Sequence, residues 1–191
     1  KTKVMKKLIP TNLPDNLPEC PDEFTAEWGI KFLTALGADT SKIESDWCWR
    51  EFNTHFKEYQ KLFEQYLEKA TTGNPAVAAH LMHKYGGISK NWAEGVIKKV
   101  KTGDPAVAAY RMHRYYKSSK NWTEGVIENA TTGNPAYAAY MMHKYCESSK
   151  KWTEGVIENA TTGDPVYAAY LMHKYHGSSK EWYEKVKSNN Q

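Results

Sequence analysis

From residue 71 to residue 190 the chain repeats one 30-residue unit four times without insertion: TTGNPAVAAHLMHKYGGISKNWAEGVIKKV, KTGDPAVAAYRMHRYYKSSKNWTEGVIENA, TTGNPAYAAYMMHKYCESSKKWTEGVIENA and TTGDPVYAAYLMHKYHGSSKEWYEKVKSNN. A fixed period of this length means stacked supersecondary units, because one such unit cannot bury its apolar face alone. The units are 71–100, 101–130, 131–160 and 161–190 within a 71–191 array. Two further segments precede them, an extended Pro-rich arm (1–21) and a helical cap (22–70).

Each unit carries its own punctuation. Gly73-Asn74-Pro75, Gly103-Asp104-Pro105, Gly133-Asn134-Pro135 and Gly163-Asp164-Pro165 read as a left-handed glycine ending one helix, a side-chain cap, and a proline at the first position of the next. A first helix (A) follows to about Tyr85. Ala78, Met82 and Tyr85, with their equivalents up to Ala168, Met172 and Tyr175, form one stripe, predicted to be the buried one. Ala79, Ala109, Ala139 and Ala169 lie beside it and would let neighbouring A helices approach closely. Ser89, Ser119, Ser149 and Ser179 cap a second helix (B). There Trp92, Trp122, Trp152 and Trp182 read as core residues. In the last unit the positions of Gly95, Ile97 and Val100 become Lys185, Lys187 and Asn190. This predicts a polar closing unit and an array that stops near Gln191. The fold class expected is all-α: a right-handed α-solenoid of four 30-residue helical hairpins with an N-terminal helical cap.

In the leading part, Pro10, Pro14, Pro18 and Pro21 argue for extended backbone. Residues 22–36 read as a helix, with Phe24, Trp28 and Phe32 on one face and Gly37 as its stop. Ser41 to Glu44 fits a capping box. A long helix to about Ala70 follows, with Trp49, Phe52, Phe56, Tyr59, Phe63 and Tyr66 spaced alternately three and four apart. That seam would flank the first repeat or pair two chains as a coiled coil.

Composition narrows the function. The net charge of +4 does not by itself call for a nucleic-acid partner, but it is unevenly placed. Residues 1–70 hold 10 Lys or Arg against 12 acids, and residues 71–191 hold 16 against 10. The array is the basic part. Three cysteines, Cys20, Cys48 and Cys146, lie far apart without zinc spacing, which predicts free thiols in a reducing, cytoplasmic setting. No apolar run approaches the ~20 residues of a membrane span, so no membrane role is expected.

No Walker loop, dinucleotide fingerprint, nucleophile elbow or paired-carboxylate motif occurs, so no catalytic residue and no cofactor is predicted. A site between cap and first repeat, around Asp46, Glu51 and His55, is the enzyme alternative. Four equivalent histidines, His83, His113, His143 and His173, are too far apart to share a metal. His173 and His176 form a pair without a third ligand. Each histidine either caps its helix C-terminus or contacts a ligand.

The expected binding surface is the side of helix A opposite the stripe. It carries Tyr110, Tyr140 and Tyr170 (His80 in the first unit), the four histidines, and Lys84, Arg114, Lys144 and Lys174. A basic rim of Lys90, Lys117, Lys120, Lys150, Lys151 and Lys180 follows the A–B turns. It reads either as a solvated rim complementing helix C-termini or as a surface for an acidic partner.

The Gly-Asp-Pro-x-x-Ala opening followed by a Trp-x-Glu helix resembles the short helical-hairpin tandem repeats of uncharacterised bacterial and phage proteins, over residues 71–190. It departs from them where Thr or Ala follows the tryptophan in place of Pro. The resemblance implies a bacterial or phage accessory or inhibitor protein and brings no assigned activity. The function expected is a non-enzymatic scaffold for a protein partner with an acidic surface. The alternative is a nucleic-acid-binding repeat whose Tyr/His/Lys ladder stacks bases and neutralises phosphates.

Overall fold

The computed structural model describes residues 10–41 and 59–191. The capping box beyond Ser41, the seam residues Trp49, Phe52 and Phe56, Cys48, the Asp46/Glu51/His55 group and the first residues of the arm lie outside the described residues. Among the described residues the chain is helical without strands. The helices are α1 (Ala26–Ala35), α2 (Gln60–Lys69), α3 (Pro75–Gly86), α4 (Lys90–Lys99), α5 (Pro105–Tyr116), α6 (Lys120–Glu128), α7 (Pro135–Cys146), α8 (Lys150–Asn159), α9 (Pro165–His176) and α10 (Lys180–Asn189). None of them is long and apolar enough to cross a membrane.

Helices α3, α5, α7 and α9 are the A helices of the four units; α4, α6, α8 and α10 are the B helices. Each A helix packs on its own B helix and on the neighbouring A helices, and each of α4, α6 and α8 also packs on the A helix of the next unit. The architecture is a helical repeat solenoid. Its A layer is closest-packed because Ala78, Ala79, Ala108, Ala109, Ala138, Ala139, Ala168 and Ala169 are all fully buried. Met82, Met112, Met142 and Met172 fill the remaining space, also fully buried.

The punctuation works as the sequence implies. Oδ1 of Asn74, Asp104, Asn134 and Asp164 accepts from the backbone N–H three residues on, at 3.4, 3.0, 3.1 and 2.8 Å. The serine hydroxyls at the start of the B helices accept from the Trp N–H groups at 3.1 to 3.2 Å. The glycine before each Asn or Asp has a second reason to be glycine. It is left-handed, with φ of +68°, +74°, +75° and +79° at Gly73, Gly103, Gly133 and Gly163. The preceding B helix, however, ends several residues earlier, so the glycine does not terminate it. A Cβ on Gly103 would lie 2.5 Å from Oδ1 of Asn74, and one on Gly133 would lie 2.6 Å from Asp104. Successive caps are stacked on one another, and only a bare backbone fits between them. Asp104 N–H also donates to Asn74 Oδ1 (3.1 Å), which ties one cap to the next.

The arm continues that stack at its first step. Cys20 and Pro21 lie where a preceding unit would place its cap: Asn74 N–H donates to the Pro21 carbonyl at 2.9 Å, and a Cβ on Gly73 would collide with the Cys20 carbonyl. The arm is itself held by Trp28 Nε1–H on the Glu19 carbonyl (2.9 Å) and the Tyr66 hydroxyl on the Pro18 carbonyl (2.8 Å). Trp28, Phe32, Phe63 and Tyr66 form an aromatic cluster with centroid separations from 5.0 to 6.1 Å. The described part of the seam, Tyr59, Phe63 and Tyr66, is buried, and α2 packs against α3 and α4. Cys20 and Cys146 are unpaired thiols. Burial pushes the Cys20 thiol up to about 12, so it carries no reactive thiolate.

Candidate functional site

Two of the three tyrosines expected on the open face are not there. Tyr110 and Tyr140 are buried, at 7% and 4% exposure, whereas Tyr170 reaches 37%. Each A helix but the last is covered not only by its B helix but by the following unit, which lies over this position. The Tyr116 ring sits 5.7 Å from His80, and the His176 ring sits 5.6 Å from Tyr140. Tyr170 has no unit over it. Its neighbour is Tyr183 of its own B helix, at 6.4 Å.

The histidines are internal braces. Nδ1 of His83, His113, His143 and His173 lies 2.6, 2.6, 2.7 and 2.7 Å from the carbonyl oxygen of Ile88, Ser118, Ser148 and Ser178. A carbonyl only accepts, so Nδ1 carries the proton in each case. Every ring is half-buried and joins the end of helix A to the turn that follows it. These hydrogen bonds are of the kind the capping alternative describes, and they engage Nδ1 alone.

Half of the basic rim is likewise committed to the fold. The ammonium of Lys90 donates to the Lys117 carbonyl (3.3 Å), that of Lys120 to the Glu147 carbonyl (2.7 Å), and that of Lys150 to the Gly177 carbonyl. Each of these three lysines therefore stabilises the C-terminus of the next unit's A helix. Lys117 is itself the left-handed cap of α5, at φ +57°. Lys151 and Lys180 remain exposed.

The surface that does face solvent lies about a quarter-turn round. At roughly 100° per residue, the positions of Val77, Leu81, Lys84 and Tyr85 span one arc of the helix. Tyr85, Tyr115, Tyr145 and Tyr175, assigned by sequence to the buried stripe, are exposed at 48%, 65%, 41% and 60%. The described large apolar side chains that are exposed are all A-helix tyrosines: these four, Tyr167 and Tyr170. Lys84 lies 4.5 Å from the centre of the Tyr85 ring, Lys144 4.9 Å from Tyr145, and Lys174 5.1 Å from Tyr175. Arg114 reaches across units to the Tyr145 ring at 5.2 Å and donates to the Tyr145 carbonyl at 3.1 Å. The Tyr85 side chain beside it raises the pKa of Lys84, and the Tyr145 side chain does the same for Lys144. These cations are held by ring faces. Among the described residues no ion pair involves Lys84, Arg114, Lys144 or Lys174. No Asp or Glu occurs within any of the four A helices.

The signal that could have located this face is internal. Some positions are identical in all four units although the units differ at more than half of all positions. Only two of the identical positions are exposed in every unit, the serine at the start of helix B and the tyrosine of helix A. The serine is an N-cap. The tyrosine hydroxyl and ring have no comparable task in the fold.

Two kinds of hollow accompany the units. Between the A helices lie one of about 220 Å³, lined by Val107, Arg111, Tyr115, Tyr137 and Met141, and one of about 490 Å³, lined by Met141, Lys144, Tyr145, Tyr167, Leu171 and Tyr175. Between the B helices lie two of about 490 and 550 Å³, each with a tryptophan and a glycine, Trp122 with Gly125 and Trp152 with Gly155. The tryptophans are half-buried rather than core, and Trp92 Nε1–H donates to Glu64 at 3.1 Å. Among the described residues no group of His, Cys, Asp or Glu is arranged to hold a metal ion. No family model, curated protein or solved structure matches this chain.

Proposed function

We propose that this chain is a non-enzymatic binding scaffold that docks a protein partner through an acidic surface, and that the docking face is the tyrosine–cation ladder of the A helices. The observation that carries the reading is the tyrosine kept exposed in all four units, with a cation of its own unit over its ring in units 1, 3 and 4. An exposed tyrosine offers a rigid, amphipathic contact at low entropic cost, and tyrosine is enriched where protein partners meet. The absence of acids from the A helices makes the face complementary to carboxylates. The unpaired thiols fit a reducing, cytoplasmic setting. An accessory or inhibitor protein of bacterial or phage origin accords with the repeat type.

The test is cross-linked capture from cells that make the full chain, comparing wild type with the Tyr115→Ala/Tyr145→Ala/Tyr175→Ala variant and with Lys98→Ala on helix B. The expected result is an acidic protein held by wild type and Lys98→Ala and lost from the triple variant, with circular dichroism unchanged. Equal recovery by all three chains would remove the A face as the site. Retained material that disappears on nuclease treatment would replace the protein reading with the nucleic-acid one, whose affinity falls linearly with the logarithm of salt concentration.

A further inference from the structure

Resting on that docking-face reading, we infer that the partner presents an extended acidic segment, with a carboxylate at every third residue, laid across the A helices. The period of the surface sets the register. Closely packed helices are 8–10 Å apart, and the buried alanine pairs between the A helices keep that spacing short. The backbone positions of Arg114, Lys144 and Lys174 therefore recur at about that interval, with the Arg114 side chain reaching toward the Tyr145 ring of the next unit. A chain in polyproline II conformation rises about 3.1 Å per residue and returns to the same face every third residue, at about 9 Å. An α-helix also returns after seven residues, at about 10.5 Å, but it needs a continuous trough.

This surface is not a trough. Tyr115, Tyr145 and Tyr175 stand out from it, and the hollows between the A helices are separate spaces of about 220 and 490 Å³. An extended segment fits such alternation: one residue in three meets a cation, and an apolar or proline neighbour drops between two tyrosine rings. Aromatic walls of this kind suit polyproline II segments, which bring little conformational entropy to lose. The larger hollow, lined by Met141 and Leu171 among others, takes the bulkier side chain. Glu147 at the end of α7 is an exposed acid beside the ladder, and it disfavours a carboxylate at that end of the unit.

Fluorescein-labelled peptides and polarisation measure this with the full chain. The probes are a (Glu-Pro-Ala) repeat, a peptide of the same composition with its glutamates clustered, and a helical peptide with glutamate at every seventh position. The period-three peptide is expected to bind at least about ten-fold tighter than either other peptide, a difference of about 1.4 kcal/mol. Lys144→Glu and the triple tyrosine variant should each weaken it by about ten-fold or more while Tm stays constant. Equal binding of the clustered peptide, tighter binding of the helical one, or no binding by any of the three overturns the register. None of those outcomes touches the docking face itself, which the capture comparison decides independently.

Discussion

Units 3 and 4 share 19 of their 30 residues but stand in different surroundings. In unit 3, Tyr140 is 4% exposed, Thr153 and Ile157 are fully buried, and Gly155 borders an open groove. In unit 4 the equivalent Tyr170 is 37% exposed, and the other three positions are Tyr183, Lys187 and Lys185. The Tyr183 ring stacks on His173 at 5.7 Å, as the His176 ring of the next unit covers His143 at 4.9 Å in unit 3. Lys185 reaches back to Glu158 of unit 3, where Gly155 one unit earlier has no side chain to do so. This tyrosine position, unlike the methionine and the alanine pair, thus has no fixed burial of its own. The same tyrosine is core or surface according to whether another unit lies over it.

That comparison can be broken most severely by moving the unit 4 residue inward. Ile127→Lys puts at an interior position the lysine that unit 4 carries as Lys187. Ile127 is fully buried, within the cluster that includes Tyr110, Ala139 and Met142. An unpaired charge there is expected to lower stability by more than about 4 kcal/mol, or to split urea unfolding into two transitions as the array uncouples. One unchanged transition would mean that the units are not coupled through this contact.

A milder change sharpens the contrast. Tyr140→Ala should cost about 3 kcal/mol and Tyr170→Ala less than about 1 kcal/mol, although the two residues occupy the same place in the repeat. Equal losses in chemical denaturation would show that the following unit contributes nothing to the burial of Tyr140.

The smallest effect concerns the one unit with histidine at that position. His80 is buried at 5% exposure with neither ring nitrogen hydrogen-bonded. Burial, then the nearby charges of Arg111, Lys84 and His83, hold its pKa down to about 4. The Tyr116 ring closes the site from the next unit. The unfolded value is near 6.5, so between the two the unfolded chain binds more protons. Stability from this group is full above about pH 6.5 and falls as the pH drops towards 4, with a loss of about 2 kcal/mol at pH 5. His80→Tyr, which restores the residue of the other units, should flatten that part of the stability–pH curve. An unchanged slope between pH 7 and pH 5 would place the acid sensitivity elsewhere.

Local chemistry was readable without the fold. Asn74-Pro75 and Ser89 announce helix starts because a cap satisfies backbone groups within three residues of itself, and Met82 with Ala78 marks a buried stripe for the same local reason. Tyr85 and Tyr110 were exchanged because a helical projection allots one buried arc to one neighbour. The A helices have several, their own B helix and the A helices on either side. The position of Tyr110 is covered by the following unit, which leaves the arc of Lys84 and Tyr85 open. Lys90, Lys120 and Lys150 looked like a free basic edge because their partners are carbonyls 27 residues away in the next unit.

The sequence by itself determined the period, the helix ends, the aromatic and cationic inventory of each unit, and the change of polarity in unit 4, since all of these depend on neighbours within a few residues or on simple repetition. Only the tertiary structure decided which tyrosine of each unit meets water and which lysines are already engaged. Burial here is a property of the stack: each unit covers part of the one before it across an A layer of buried alanine and methionine, and that cover is not written in the order of residues within a unit.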